Sequence, residues 1–104
     1  MRIALIAAHS SVMPVEGSGS RPGQVTALAR SLAAQGHRVT LYTRRDNSRC
    51  PRTAILGNGA VAEHIMAGPA RPLSAEQTAR YLPEFARELA EHWRVRQPDV
   101  VHAF

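Results

Sequence analysis

The chain contains no lysine; its 13 basic residues are all arginines. That absence excludes a Walker-type phosphate loop, whose Gly-Lys-Ser/Thr signature needs an ammonium on the phosphates. Cysteine is nearly absent as well. Cys50 alone cannot close an intrachain disulfide, and a single thiol in a polar stretch before Pro51 fits a reducing, cytoplasmic setting. Aromatic residues make up 5% of the chain, so its core must come mostly from Val, Ile, Leu and Ala. No apolar run is long enough to span a bilayer. The opening "MRIALIAAHS" has one Arg, a short apolar run over 3–8 and then polar residues, so it reads as a strand and not as a transmembrane or secretory segment. No group of His, Cys, Asp and Glu has the spacing of a metal site, so no metal is expected.

What is present suits one small domain: 104 residues, 44% hydrophobic, with a formal net charge of +5. The arginines are scattered. Their densest group, "TRRDNSRCPR" at 43–52, reads as a solvated face with surface salt bridges, so no nucleic-acid partner is expected.

Hydrophobic periodicity organises the chain. "RIALIAA" at 2–8 is a nearly unbroken apolar run, the pattern of a strand buried on both faces of a parallel sheet. Val25, Leu28, Ala29, Leu32 and Ala33 then recur at helical spacing, with Pro22 before the first turn and Gly36 as the stop. "HRVTLYT" at 37–43 alternates as a second strand, which completes a βαβ unit. A third strand is expected at 61–66, with 53–57 as loop; a hairpin through Asn58-Gly59 is the other reading. Ser74 and Gln77 form a capping-box pattern at the head of a long helix. Leu82, Phe85, Ala86, Leu89 and Trp93 mark its buried face, and Pro83 demands either a kink or a second helix starting there. Met66 is expected in the core, His37 and His64 at the surface or a strand edge, and His92 facing solvent. "DVVHAF" at 99–104 is a last, buried strand. Ligands of open α/β sheets bind beyond the carboxyl ends of strands. The chain stops there, as the first part of a larger domain would.

The candidate site follows from that rule. "VEGSGSRPGQV" at 15–25 joins the first strand to the first helix. Its Gly17, Gly19 and Gly23 allow backbone amides to approach an anion without a Cβ in the way, and the helix N-terminus adds its positive dipole. A flexible surface loop is the plainer reading of the same residues. A dinucleotide fingerprint fits poorly, because Gly17 lies about nine residues past the end of the strand at Ala8 and the glycine spacing is one residue long. Arg44 and Arg45 after the second strand would suit a 2′-phosphate, which keeps a stand-alone NADP- or nucleotide-binding module as an alternative. His9, at the end of the first strand, is a further candidate for the cleft, and Arg44 for an anionic acceptor.

"MRIALIAAHSS", the Gly-Gln of the loop, "LARSLAAQGHRVTLYTRRD", "EHIMAGPARPL" and "RQPDVVHA" occur in that order. Together they resemble the N-terminal part of the family 4 retaining glycosyltransferases. The likeness is to the actinobacterial type similar to sucrose synthases and the mycothiol-pathway inositol-phosphate glycosyltransferase, and it covers nearly the whole chain.

The resemblance implies the GT-B fold, two Rossmann-like domains with the active site between them. This α/β chain, a parallel sheet with flanking helices, would be a partial N-terminal, acceptor-side domain over 1–104. The C-terminal domain that holds the donor would be missing. The implied reaction moves a sugar with retention from a nucleotide-diphosphate-sugar donor to a small-molecule or glycan acceptor. The donor is a co-substrate, no cofactor is tightly bound, and the chain by itself is not competent. Gly23 and Gln24 match the Gly-Gln element that lies near the donor diphosphate and acceptor, with Pro22 where the family has another Gly. His102 matches the first His of a His-x-His after the last strand, and Phe104 replaces the second. A phenyl ring cannot make that histidine's hydrogen bond. Gly19, Gly23, Gln24, His9, His102 and Arg44 are therefore the expected substrate- or phosphate-binding residues; no catalytic residue is assigned.

Overall fold

The structure is a computed structural model and describes residues 1–8 and 23–104. Eight elements follow one another: β1 (Arg2–Ala7), α1 (Gly23–Ala34), β2 (Arg38–Arg44), β3 (Thr53–Gly57), β4 (Ala60–Ile65), α2 (Ala75–Arg80), α3 (Leu82–Val95) and β5 (Val100–Ala103). They build a five-stranded sheet in the order β3-β4-β2-β1-β5. Every pairing is parallel except β3 with β4. This is the Rossmann-like α/β arrangement expected from the pattern of apolar runs, extended at one edge by a hairpin.

β1 is apolar throughout because both of its faces are covered. Leu5 packs with Ala29 and Ala33 of α1, while its neighbour Ala4 packs with Phe85 and Leu89 of α3. β2 repeats the alternation, with Val39 and Leu41 toward α1 and Tyr42 toward α3. The two helices thus sit on opposite faces. Right-handed crossovers produce this when one connection runs from β1 to β2 and the next runs back over β1 to β5. Burial of a Phe or Leu side chain such as Phe85 or Leu89 stabilises by about 1.5–3 kcal/mol.

The helix boundaries follow local chemistry. Ser74 Oγ accepts from the Gln77 amide at 3.1 Å, and Gln77 Oε1 accepts from the Ser74 amide at 3.1 Å, which completes the capping box. Pro83 does not kink one long helix. Tyr81 closes α2 and opens α3, with Pro83 in the first turn, where its missing N–H costs nothing. Gly36 has φ +94°, the left-handed stop after α1.

Several expectations are corrected. Residues 53–57 are a strand and not a loop. Asn58 and Gly59 both have positive φ, 55° and 91°, as a type I′ hairpin turn requires. A bulge at Leu56 frees its carbonyl, which accepts from Arg30 Nε of α1. Leu28, Leu82 and Met66 are exposed and not core; on α1 it is the small residues Ala29 and Ala33 that face the sheet, which leaves Leu28 on the outer flank. His64 is buried at 1% exposure, and its Nδ1 is 2.7 Å from the Pro51 carbonyl. His92 turns inward, edge-on to Tyr42 at 5.5 Å. β5 is exposed along its whole length, not buried, because among the described residues only β1 pairs with it.

Two glycines separate backbone strain from steric overlap. Gly59 has φ +91° with open space where a Cβ would stand, whereas at Gly68 (φ +74°) a Cβ would lie 2.8 Å from the Tyr81 ring. Gly59→Ala should cost about 1 kcal/mol from the backbone alone, and Gly68→Ala about 2–4 kcal/mol, because the ring must also move. Urea denaturation of the two variants measures the difference, and equal losses would contradict it.

Candidate functional site

The strand order reverses direction at β1. From β1 the chain first moves to β2, and β5 later returns to β1's other side, so the switch point lies between β1 and β5. In doubly wound sheets the crevice beyond the carboxyl ends of such a strand pair holds the ligand. At this edge the backbone of Phe104 donates to the Ile6 carbonyl at 2.8 Å, which keeps β5 paired up to its end. The same edge receives the N-terminus of α1.

α1 has no acidic residue in its first turn. Among the described residues, the first turn of α1 thus sets no carboxylate of its own against the positive end of the helix dipole. The other two helices differ. α2 is closed by its capping box and carries Glu76, and α3 carries Glu84 in its first turn. Gly23 and Gln24 open α1, where the glycine-loop reading expects them. His9 and Gly19, also expected at the site, lie outside the described residues.

His102 lies on β5 opposite Leu5 of β1 and is exposed. Its ring meets that of Phe104 at 4.7 Å with an interplanar angle of 64°. The pair stands at the switch point as an edge-on stack, with the imidazole accessible and an apolar ring where the resemblance expects a second imidazole.

Arg44 takes a different place from the one expected. It ends β2 at 1% exposure and belongs to no surface salt-bridge cluster. Its Nη1 donates to the carbonyls of Arg45 at 2.9 Å, Ala67 at 3.3 Å and Pro69 at 2.8 Å, and its Nη2 donates to the Arg71 carbonyl at 2.5 Å. The guanidinium thus binds the 67–71 connection to the end of β2. Burial lowers its pKa from the ordinary arginine value. Arg45 and Arg71 push the same way, and Asp46 opposes them. Arginine suits this place because it carries five donors in a fixed fork and stays charged. The connection is also held from its other side, where the Gly68 amide donates to Glu84 Oε2 at 3.3 Å.

Next to Arg44, Asp46 is buried, and its Oδ1 accepts from Asn47 Nδ2 at 2.9 Å and from the Cys50 thiol at 3.7 Å. Asn47 Nδ2 also reaches Cys50 Sγ at 3.2 Å. Sequence reasoning assigned Asp46 to a solvated face. Only its alternation with Arg44 along the chain hinted at an inward carboxylate. Among the described residues no group of three His, Cys, Asp or Glu side chains could hold a metal ion, and no helix is long and apolar enough to cross a membrane.

The comparisons with known proteins agree with this geometry. The Glycosyltransferase Family 4 model matches residues 24–104. The chain belongs to glycosyltransferase family 4. A D-inositol 3-phosphate glycosyltransferase of Jonesia denitrificans is 32% identical over 108 residues, covering 98% of this chain and 26% of that protein. The enzyme of the same description from Arthrobacter sp. strain FB24 is 34% identical over 109 residues, again 98% of this chain and 26% of the relative. Among solved structures, sucrose-phosphate synthase from Thermosynechococcus elongatus superimposes with a TM-score of 0.86 at 25% identity, over 98% of this chain and 26% of that one. The chain thus spans about a quarter of the length of these glycosyltransferases. It is a glycosyltransferase family 4 domain with the Rossmann-like architecture of GT-B enzymes.

Arg44 thus straps the 67–71 connection to the end of β2. Arg44→Ala should leave buried carbonyls unpaired and destabilise by about 3 kcal/mol or more. Arg44→Lys should recover only a minor part, since an ammonium cannot reproduce the fork. Urea midpoints give the stability. Limited proteolysis at 66–73 tests the strap itself; cleavage there should accelerate before the global unfolding transition.

Proposed function

We propose that the chain is the acceptor-side part of a retaining glycosyltransferase that uses a nucleotide-diphosphate sugar, with the donor-binding domain supplied by a separate segment. The observation that carries this reading is the N-terminus of α1, with no acidic residue in its first turn, on the sheet edge of the β1/β5 switch point, in a chain whose family transfers sugars. Of the acceptors, a phosphorylated polyol is favoured. Two of the relatives act on D-inositol 3-phosphate, and a helix N-terminus without acidic residues favours a phosphate.

In such a reaction the bond between the anomeric carbon and the diphosphate oxygen breaks, and the acceptor hydroxyl forms the new bond on the same face. The protein's part is electrostatic. Fixed amide dipoles offset the charge that develops on the departing diphosphate or already rests on the acceptor phosphate. Gly23 and Gln24 contribute such amides at the start of α1, and Gly19 and His9 extend the same proposed site. His102 borders it from β5. Arg44 contributes by holding the 67–71 connection and not by contact with the ligand, since its fork is already occupied by carbonyls.

Gln24→Glu tests the reading. A carboxylate in the first turn should leave helix stability unchanged or raise it by about 0.3–1 kcal/mol through the dipole. It should weaken D-inositol 3-phosphate binding by about tenfold through repulsion. Calorimetry on the purified chain and on the variant reads the affinity, and thermal unfolding reads the stability. Unchanged affinity would remove the helix N-terminus from the site. Sugar transfer by the 104-residue chain alone is expected to be undetectable, and measured turnover would refute the division of labour.

A further inference from the structure

The edge of the sheet opposite the switch point has its own charged cavity. It encloses about 440 Å3 at the amino ends of β1, β2 and β4, beneath the last turn of α3. Arg2, Arg38 and Arg96 line it together with His92, and no acidic side chain does. Tyr42 and Val61 contribute ring and apolar surface.

The three arginines are exposed, and three observations bear on what they could hold. Arg2 and Arg38 are register partners on adjacent parallel strands. Like charges placed side by side in this way are destabilising unless something lies between them. Among the described residues, none of the three guanidinium groups makes a hydrogen bond or an ion pair. Asp99 lines the adjoining space with Arg2 and Arg38, but its Oδ2 accepts from the backbone amide of Arg2 at 2.7 Å and it forms no ion pair with the three guanidinium groups. Finally, the third arginine comes from another element. Arg96 caps α3, so the three converge from two strands and a helix end upon one concave space.

We propose that this cavity binds a small oxyanion-bearing ligand, a phosphate monoester or diphosphate, at the edge of the sheet opposite the transfer site. Unpaired guanidinium forks hold such groups by charge-assisted, often bidentate hydrogen bonds. Bound oxygens would relieve the repulsion between Arg2 and Arg38. The cavity's volume falls within the range of small-molecule sites, and Tyr42 and Val61 provide a surface for the non-ionic part of the ligand. The inference is independent of the proposed transfer site, which lies at the carboxyl ends of the strands.

The chain carries its own reporter. Its single tryptophan, Trp93, meets the Tyr42 ring edge-on at 5.9 Å. Titration of the full chain with inorganic pyrophosphate at constant ionic strength should give a saturable change in Trp93 fluorescence, with half-saturation at about 1 mM or below. Arg38→Gln and Arg96→Gln should each weaken it about tenfold or more. Arg80→Gln, which removes an exposed arginine of α2 outside the cavity, should leave it unchanged. Gln24→Glu should also leave it unchanged, because that change acts at the other edge. Far-UV circular dichroism confirms that each variant is folded. No saturable response, equal weakening by Arg38→Gln and Arg80→Gln, or loss of the response in Gln24→Glu would each overturn the proposal.

Discussion

Parallel pairing of β1 with β2 on one side and β5 on the other is the constraint on which the rest of the domain depends. A strand paired on both edges and covered on both faces must be apolar at every central position, and Ile3 to Ala8 are. Parallel neighbours cannot be joined by a tight turn, so each pairing requires a crossover. One crossover carries α1 and the other α2 and α3, and they use opposite faces because they travel in opposite directions from the same centre. The place of the proposed site follows from the same geometry, because the two connections leave β1 toward opposite sides of the strand order.

Charge is distributed to match. At the carboxyl edge, the arginine most suited by sequence to an anion is buried and bound to four carbonyls, so the proposed anion contact there falls to backbone at the start of α1. At the amino edge the reverse holds: backbone groups are paired by strand ladders and, among the described residues, the guanidinium groups of three arginines have no partner. The same residue type thus has two roles in one small sheet. Burial decides between them: the desolvated Arg44 gives both terminal nitrogens of its fork to carbonyls, whereas an exposed guanidinium can remain with water until a ligand arrives.

Much of the architecture was legible because its signals are local. The apolar run at 2–8, the helical spacing of Val25, Ala29, Leu32 and Ala33, the capping box at Ser74 and the left-handed stop at Gly36 each follow from neighbours within a few residues. The hairpin at 53–65 was misread because 53–57 is short and its edge position leaves Ile55 exposed, so it lacks a clean buried alternation. Of the glycine loop in the proposed site, only the helix start has an observed place. Gly23 and Gln24 are placed as expected at the head of α1. The role of Arg44 was not legible, since its four carbonyl partners include three that lie 23–27 residues further along the chain.

The sequence alone therefore determined the fold class, the order of the elements, the family resemblance and the start of α1 at Gly23 and Gln24. Periodicity, capping and glycine conformation act over a few residues and are written in order along the chain. Tertiary structure alone decided that Arg44 and Asp46 turn inward, that His64 is buried and His92 packs on Tyr42, and that Arg2, Arg38 and Arg96 share one cavity. Each of these depends on which distant strands become neighbours, and that register arises only when the sheet closes around β1.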